Sequence, residues 1–318
     1  MILEILLLVL GLALVVGGAE FLVDGASSIA RKIGISEFVI GLTIVGMGTS
    51  APEMVVSFMG AAEGNADISA GNVLGSNIFN SMLILGLTAL IMPMAITPSN
   101  KKQDIPVNIF ATVLLICLAL KNTLFGVGSD ALTRVDGAIF LALFIAYMSR
   151  SFFKGRGETQ EESQEKTYGI APAILMVAGG LAALIYGGNL FVNSATHIAK
   201  LLGVSDKFIA ITLLAGGTSL PELATCVVAA AKKKGQLALG NILGSNIFNI
   251  LLILGGSALI HPLSFADINL VDVGVLALSA VLIWTAAYTG KKNLMDRFDG
   301  SIMLLCGIAY YVWLFLSL

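Results

Sequence analysis

The chain has 318 residues, of which 57% are hydrophobic and only 12% charged, with a formal net charge of −2. Soluble domains carry about 25% charged residues, so this composition excludes an ordinary soluble enzyme and a disordered chain, and the absence of a basic surface excludes a nucleic-acid binder. A mean hydropathy of +0.93, with apolar runs of about 20 residues recurring along the chain, reads as a polytopic all-α membrane protein with no sizeable soluble domain.

In chain order the apolar runs fall at 2–23, 36–61, 69–93, 104–121 and 132–150, then at 170–192, 205–231, 237–260, 268–289 and 298–317. The first opens MILEILLLVLGLALVVGG, with Glu4 where a signal peptide would carry a basic residue, so it is expected to stay as a span. Between the fifth and sixth runs lies SRSFFKGRGETQEESQEKTYG, the only long polar stretch. Cys117, Cys226 and Cys306 all sit inside runs, which argues against a disulfide framework and for small hydrophobes in packed helices. His197, placed in an extramembranous turn, and His261, before a proline at a span end, read as surface residues; Asp130, Asp136, Asp267, Asp272 and Asp299 read as interface charges near span ends.

Shifted by 169 positions, the sequence matches itself without gaps. GNVLGSNIFN at 71–80 faces GNILGSNIFN at 240–249, nine of ten identical, and GTSAPE at 48–53 faces GTSLPE at 217–222. Near the ends of the halves the shift becomes 163, where DGAIFLALFIAY (136–147) faces DGSIMLLCGIAY (299–310). The chain therefore divides into a first repeat at 1–149, a linker at 150–169 and a second repeat at 170–318. Repeats of apolar segments point to a transporter. Each repeat holds five runs, an odd number, so consecutive copies must enter the membrane in opposite orientations. Charge supports this. With ten spans, 14 of the 18 basic residues, from Arg31 and Lys32 to Arg297, fall on one face, and only Lys121, Arg134, Lys200 and Lys207 on the other. The positive-inside rule then puts the linker in the cytoplasm of a cell-membrane protein and both termini outside. The loop EGNAD at 63–67 faces KKKGQ at 232–236, an acidic-to-basic change that opposite sidedness explains.

Glu53 and Glu222 sit near the middle of apolar runs. A charge at a helix centre costs at least about 2.5–3.5 kcal/mol on insertion scales, so two at matched positions need compensation. Pro52 and Pro221 lack an N–H and leave the carbonyls of Gly48 and Gly217 without helical partners. Freed carbonyls at membrane depth persist only against protein or a water-filled cavity. The 35 glycines, several beside these prolines, loosen the backbone further. On a helix, positions 46, 49, 50 and 53 share a face, so Thr49, Ser50 and Glu53 point together, as do Thr218, Ser219 and Glu222. The next run of each half adds Ser76 and Asn80, or Ser245 and Asn249, one turn apart; Asn77 and Asn246 either join them or brace backbone. Asn72 and Asn241, close to predicted helix starts, read as caps. Glu20 and Asp24, whose repeat mates are Asn189 and Asn193, close the first run. All these donors are oxygen, which suits Ca²⁺, Na⁺, Mg²⁺ or Mn²⁺ and not Zn²⁺ or copper; Ca²⁺ takes 6–8 oxygens in flexible geometry, whereas Mg²⁺ holds its waters. Two carboxylates match one Ca²⁺ or two monovalent ions. Burial and like charge both penalise the empty, doubly ionised pair, so the site is expected to hold a cation or a proton, which favours exchange over leak.

At GTSAPE/GTSLPE and GNVLGSNIFN/GNILGSNIFN the sequence resembles the cation/calcium exchanger superfamily, and prokaryotic sodium/calcium exchangers within it, over nearly the whole chain. The resemblance implies ten transmembrane helices as two inverted-topology five-helix repeats, with the second and third helices of each half forming a central cation cluster. It implies Ca²⁺ binding by Glu53 and Glu222 with Thr49 and Thr218, and Na⁺ sites using Ser50, Ser76, Ser219 and Ser245 with the backbone at Gly46 and Ala215. It further implies that the first and sixth helices slide across this core. Some members carry Asp where this chain has Asn80 or Asn249, so the central charge here is limited to two glutamates. The resulting expectation is a Ca²⁺/Na⁺ antiporter, with H⁺/Ca²⁺ or K⁺-dependent Na⁺/Ca²⁺ exchange through the same site as alternatives. A channel and an intramembrane enzyme are disfavoured. No cofactor and no obligate protein partner are implied; the partners are inorganic cations and the lipid bilayer.

Overall fold

The computed structural model describes residues 2–154, 167–203, 215–266, 268–289 and 293–317. The helices are α1 (Ile2–Ile33), α2 (Glu37–Thr49), α3 (Ala51–Ala62), α4 (Ala66–Ile91), α5 (Asn100–Ala119), α6 (Arg134–Lys154), α7 (Ile170–Leu201), α8 (Leu220–Ala231), α9 (Gly235–Ile260), α10 (Leu270–Thr289) and α11 (Arg297–Ser317). Among the described residues, eight helices are long and apolar enough to cross a membrane, and α2 with α3, bent by 49°, makes a ninth. Of the predicted run at 205–231, the helical turn Ala215–Gly217 and α8 are described. Its beginning, with Lys207, lies outside the described residues, as do linker residues 155–166, Asp267, Lys291 and Lys292.

α1 and α7 continue past their predicted ends at 23 and 192. No proline interrupts either extension, and each places basic residues (Arg31 and Lys32; Lys200) in its last turn, where they complement the helix dipole. Gly34 and Gly203, at φ +74° and +78°, then supply the left-handed conformation that ends a helix. His197 consequently lies within α7 and not in a turn, its Nδ1 3.9 Å from Glu4 Oε1. α1 and α7 pack backbone to backbone: a Cβ on Gly18 would stand 2.8 Å from the Gly180 carbonyl oxygen. Small residues permit such an approach where lipid offers no hydrophobic drive.

α4 and α9 are the innermost spans, buried over 67% and 94% of their most apolar stretch, against 22% for α1. The two copies of GSNIFN therefore stand at the centre of the bundle. In both, the helix widens into a π segment, Phe79–Ile84 and Phe248–Leu254, so Asn80 and Asn249 sit on widened turns. Such bulges recur at functional sites, and periodicity did not signal them.

Among the described residues, four two-residue strands join the ends of the spans: β1 (Met94–Ala95), β2 (Ala131–Leu132), β3 (Leu263–Ser264) and β4 (Leu294–Met295). β1 pairs antiparallel with β4, and β2 with β3. Under the repeat, β1 corresponds to β3 and β2 to β4, so each half lends one strand to each ladder. The basic turn after α8 lies beside β1, where the Gln236 side-chain amide donates to the Ala95 carbonyl. Gly64, in the acidic loop after α3, lies near His261 just before β3. Lys232 Nζ is 2.7 Å and Lys234 Nζ 3.5 Å from Asp24 Oδ1 on α1.

Two aspartates fasten the last two helices of each half. The Tyr147 hydroxyl donates to Asp104 at 2.9 Å, and the Tyr310 hydroxyl to Asp272 at 2.9 Å. Asp272 is thus a helix brace and not simply an interface charge, and Asp104, its buried equivalent, went unnoticed in the sequence.

Candidate cation site

The backbone breaks where the sequence places proline. Ser50 has φ −83°, ψ 9° and Ser219 φ −86°, ψ 7°, and each separates a helical turn from a helix opening with Pro52 or Pro221. The single helix face expected for positions 46–53 is therefore bent, and neighbouring side chains take different targets. Thr49 donates to the Asn241 side-chain oxygen at 3.2 Å, whereas Ser50 donates to Glu222 Oε1 at 2.7 Å. In the other half, Ser219 donates to Glu53 Oε1 at 3.1 Å. Each glutamate is thus held by the serine of the opposite break.

Glu53, Glu222, Thr49, Ser50 and Ser219 are fully buried, and Ser76, Ser245, Asn80 and Asn249 are at most 3% exposed. Thr218 is partly buried. Ser245 bridges the halves from α9, donating to the Gly46 carbonyl at 3.3 Å and lying 3.5 Å from Glu222 Oε1. The Gly46 carbonyl also accepts from the Thr49 hydroxyl at 3.4 Å and the Ser50 amide at 3.1 Å. This oxygen, and not the Gly48 carbonyl singled out from the proline spacing, is where donors from both halves converge. Ala215 opens its short helical turn, but its surroundings lie outside the described residues.

The asparagines divide into braces and unpartnered groups. Asn72 and Asn241 are not caps, because α4 and α9 start earlier, at Ala66 and Gly235, and the cap of α4 is Asn65, whose side chain accepts from the Ile68 amide. Asn72 donates to the Ser57 hydroxyl at 2.9 Å and the Glu53 carbonyl at 3.1 Å. Asn241 donates to the Cys226 thiol at 3.3 Å while accepting from Thr49. Cys226 is thus part of a polar brace and not merely a packed hydrophobe. Asn77 donates to the Asn246 carbonyl at 3.2 Å and Asn249 to the Asn77 side-chain oxygen at 2.9 Å. These cross-half bonds, like the Asn246 contact with Ser81, were invisible to single-sequence reasoning; the only available signal was that the residues are duplicated.

Among the described residues, several buried oxygens have no hydrogen-bond partner: Glu53 Oε2, Glu222 Oε2, Thr218 Oγ1, Asn80 Oδ1 and Asn249 Oδ1. Leaving a buried polar group unpaired costs about 1–3 kcal/mol, more for a charge. An all-oxygen set of this kind fits a hard cation.

The profile of the sodium/calcium exchanger protein family matches residues 3–153 and 172–316, one segment in each half. Sodium/calcium exchanger MaX1 of Methanosarcina acetivorans is 34% identical over 98% of either chain, and Inner membrane protein YrbG of Escherichia coli is 35% identical over 98% of either. A solved structure of the sodium-calcium exchanger NCX_Mj superposes with a TM-score of 0.84 at 33% identity, covering 97% of each chain. With its duplicated acidic breaks inside a bundle of apolar helices, the chain belongs to the sodium/calcium exchanger protein family, whose members are multi-pass membrane transporters of cations.

Proposed function

We propose that the protein is a secondary active antiporter that moves Ca²⁺ against Na⁺ by alternating access at one central site built around Glu53 and Glu222. The observation that carries this reading is the pair of fully buried glutamates, one from each half, each steadied through Oε1 by a serine of the opposite break and each with an unpartnered Oε2. Their joint charge is met by one Ca²⁺ or two Na⁺. The Thr49, Ser50, Ser219 and Ser245 hydroxyls now donate to neighbouring oxygens of the cluster. An arriving cation takes over from those protons as the positive partner, and the hydroxyls turn their lone pairs toward it. The two ions compete because they use overlapping oxygens, and the uncompensated pair is too unfavourable to return empty. That coupling distinguishes exchange from leak.

The same reading takes the fold as ten spans in two inverted repeats, 1–149 and 170–318, joined by a cytoplasmic linker at 150–169, with both termini outside. The strand ladders support it. α5 separates β1 from β2 by one span, β1 follows α4 and β3, the partner of β2, follows α9, so α4 and α9 end on opposite sides. The acidic loop near β3 and the basic turn beside β1 agree with that sidedness.

The test is Ca²⁺ flux in proteoliposomes with Na⁺, K⁺ and H⁺ gradients imposed one at a time. Uptake driven by an outward Na⁺ gradient alone is expected. Uptake driven by a pH gradient and indifferent to Na⁺ selects H⁺ exchange, and a strict need for K⁺ beside Na⁺ selects the K⁺-dependent form.

A further inference from the structure

The centre of the bundle lacks one hydrogen bond that its own symmetry calls for. Asn249 donates through Nδ2 to the side-chain oxygen of Asn77, leaving Oδ1 of Asn249 bare and its amide fixed. The repeat mates of Asn249 and Asn77 are Asn80 and Asn246. The corresponding bond would run from Asn80 Nδ2 to Asn246 Oδ1. Both of those atoms are buried and without a partner among the described residues, and so is Asn80 Oδ1. The cause is local. Asn246 spends its Nδ2 on the Ser81 hydroxyl at 2.8 Å, and the position matching Ser81 in the second half is Ile250, which offers Asn77 no such alternative.

We propose that Ser81 is a positioning residue for ion selectivity: by holding Asn246 it leaves Asn80 a free-turning amide ligand opposite the fixed amide of Asn249. The proposal rests on the cation-site reading above and goes beyond it, since Ser81 need touch no ion. A fixed carbonyl ligand has its ordering cost met before binding, whereas a free one meets it at each binding event and returns it at release. One side of the site therefore favours capture and the other favours adaptation to a second ion of different size and charge. Ser81 is only 2% exposed and sits on the π segment of α4, so its hydroxyl has no solvent to satisfy it and its engagement with Asn246 is the stable arrangement.

The experiment compares wild type with Ser81→Ala, Ser81→Ile and Ser81→Thr, reading the rise in melting temperature with Ca²⁺ in detergent and the half-saturating Ca²⁺ and maximal rate of Na⁺-driven uptake in proteoliposomes. Ser81→Ala removes the hydroxyl without adding volume, which covers the case in which isoleucine is not tolerated. Releasing Asn246 to pair with Asn80 is expected to lower half-saturating Ca²⁺ and the maximal rate together, each by about two- to tenfold, the worth of one hydrogen bond. Ser81→Thr keeps the hydroxyl and is expected to match wild type. Wild-type values in Ser81→Ala, or weaker Ca²⁺ stabilisation in it, overturn the role of Ser81, provided Glu222→Gln abolishes that stabilisation. If Glu222→Gln retains it, the site reading fails and the proposal falls with it.

Discussion

Glu222 accepts from the Ser50 hydroxyl at 2.7 Å and has the Ser245 hydroxyl 3.5 Å away, while Glu53 accepts from the Ser219 hydroxyl at the longer distance of 3.1 Å. The two breaks share Gly-Thr-Ser-x-Pro-Glu, so local sequence cannot account for the difference. The surroundings of the two breaks differ where the repeats diverge. The asparagine behind the first break donates to the Ser57 hydroxyl and to the Glu53 carbonyl; its mate behind the second donates to the Cys226 thiol, a weaker acceptor, and accepts from Thr49. Ser69 adds a 2.6 Å bond to the Ser57 carbonyl, where the second half has Ala238. Duplication thus supplies two equal carboxylates, and neighbours outside the duplicated motif make them unequal. Under the proposed exchange, a site that holds a divalent ion in one half-cycle and monovalent ions in the other has use for that inequality.

The largest expected effect tests whether the carboxylates remain equal in what matters most. Glu53→Gln and Glu222→Gln should each lower Ca²⁺ exchange in proteoliposomes by at least about a hundredfold, the scale of removing one partner of a buried charge interaction. A variant that keeps near-normal exchange would assign the ion to one glutamate and break the symmetry at its root. The serines come next. Hydrogen bonds to charged groups contribute about 1.5–3 kcal/mol, and shorter charge-assisted bonds are the stronger ones. Because the arriving ion replaces these donors, the bonds steady the ion-free glutamates, so Ser50→Ala should lower half-saturating Ca²⁺ by roughly tenfold, and Ser219→Ala by less. Equal effects, or the reverse order, would show that the difference between 2.7 and 3.1 Å carries no energetic weight.

What the sequence disclosed and what it withheld divide along physical lines. Glu53 and Glu222 were legible because a carboxylate in an apolar run beside proline is expensive, and a duplicated expense has a purpose. The spans were legible from hydrophobic length. The far ends of α1 and α7 were not, since their last turns are polar and stay helical through packing and dipole complementarity. Asn72 and Asn241 were misread because a cap is recognised only from where the helix begins, and Asn65 had already capped α4 about two turns sooner. The π segments leave no mark on periodicity. Ser81 escaped because its significance lies in a contact with Asn246, 165 positions away, and in the isoleucine that replaces it in the other half.

The smallest expected effect concerns the rim. α1 is tied to the basic turn after α8 through Asp24, which Lys232 approaches to 2.7 Å and Lys234 to 3.5 Å. α7 carries Asn193 at the matching position, and the corresponding loop after α3 is acidic, so the second half has no such charge pairing to offer. Asp24→Asn makes the first half resemble the second. Because Asp24 and Lys232 are both about 30% exposed, screening limits the pair to about 1 kcal/mol or less, and the change should lower thermal stability by no more than that at low salt. The loss should shrink as ionic strength rises, since exposed charges are screened within a Debye length of about 10 Å at 0.1 M. Lys234 is the most buried of the trio, only 6% exposed, so its attraction to Asp24 is the less screened of the two. A residual loss that persists in high salt would therefore mark Lys234, and not Lys232, as the residue that Asp24 chiefly serves.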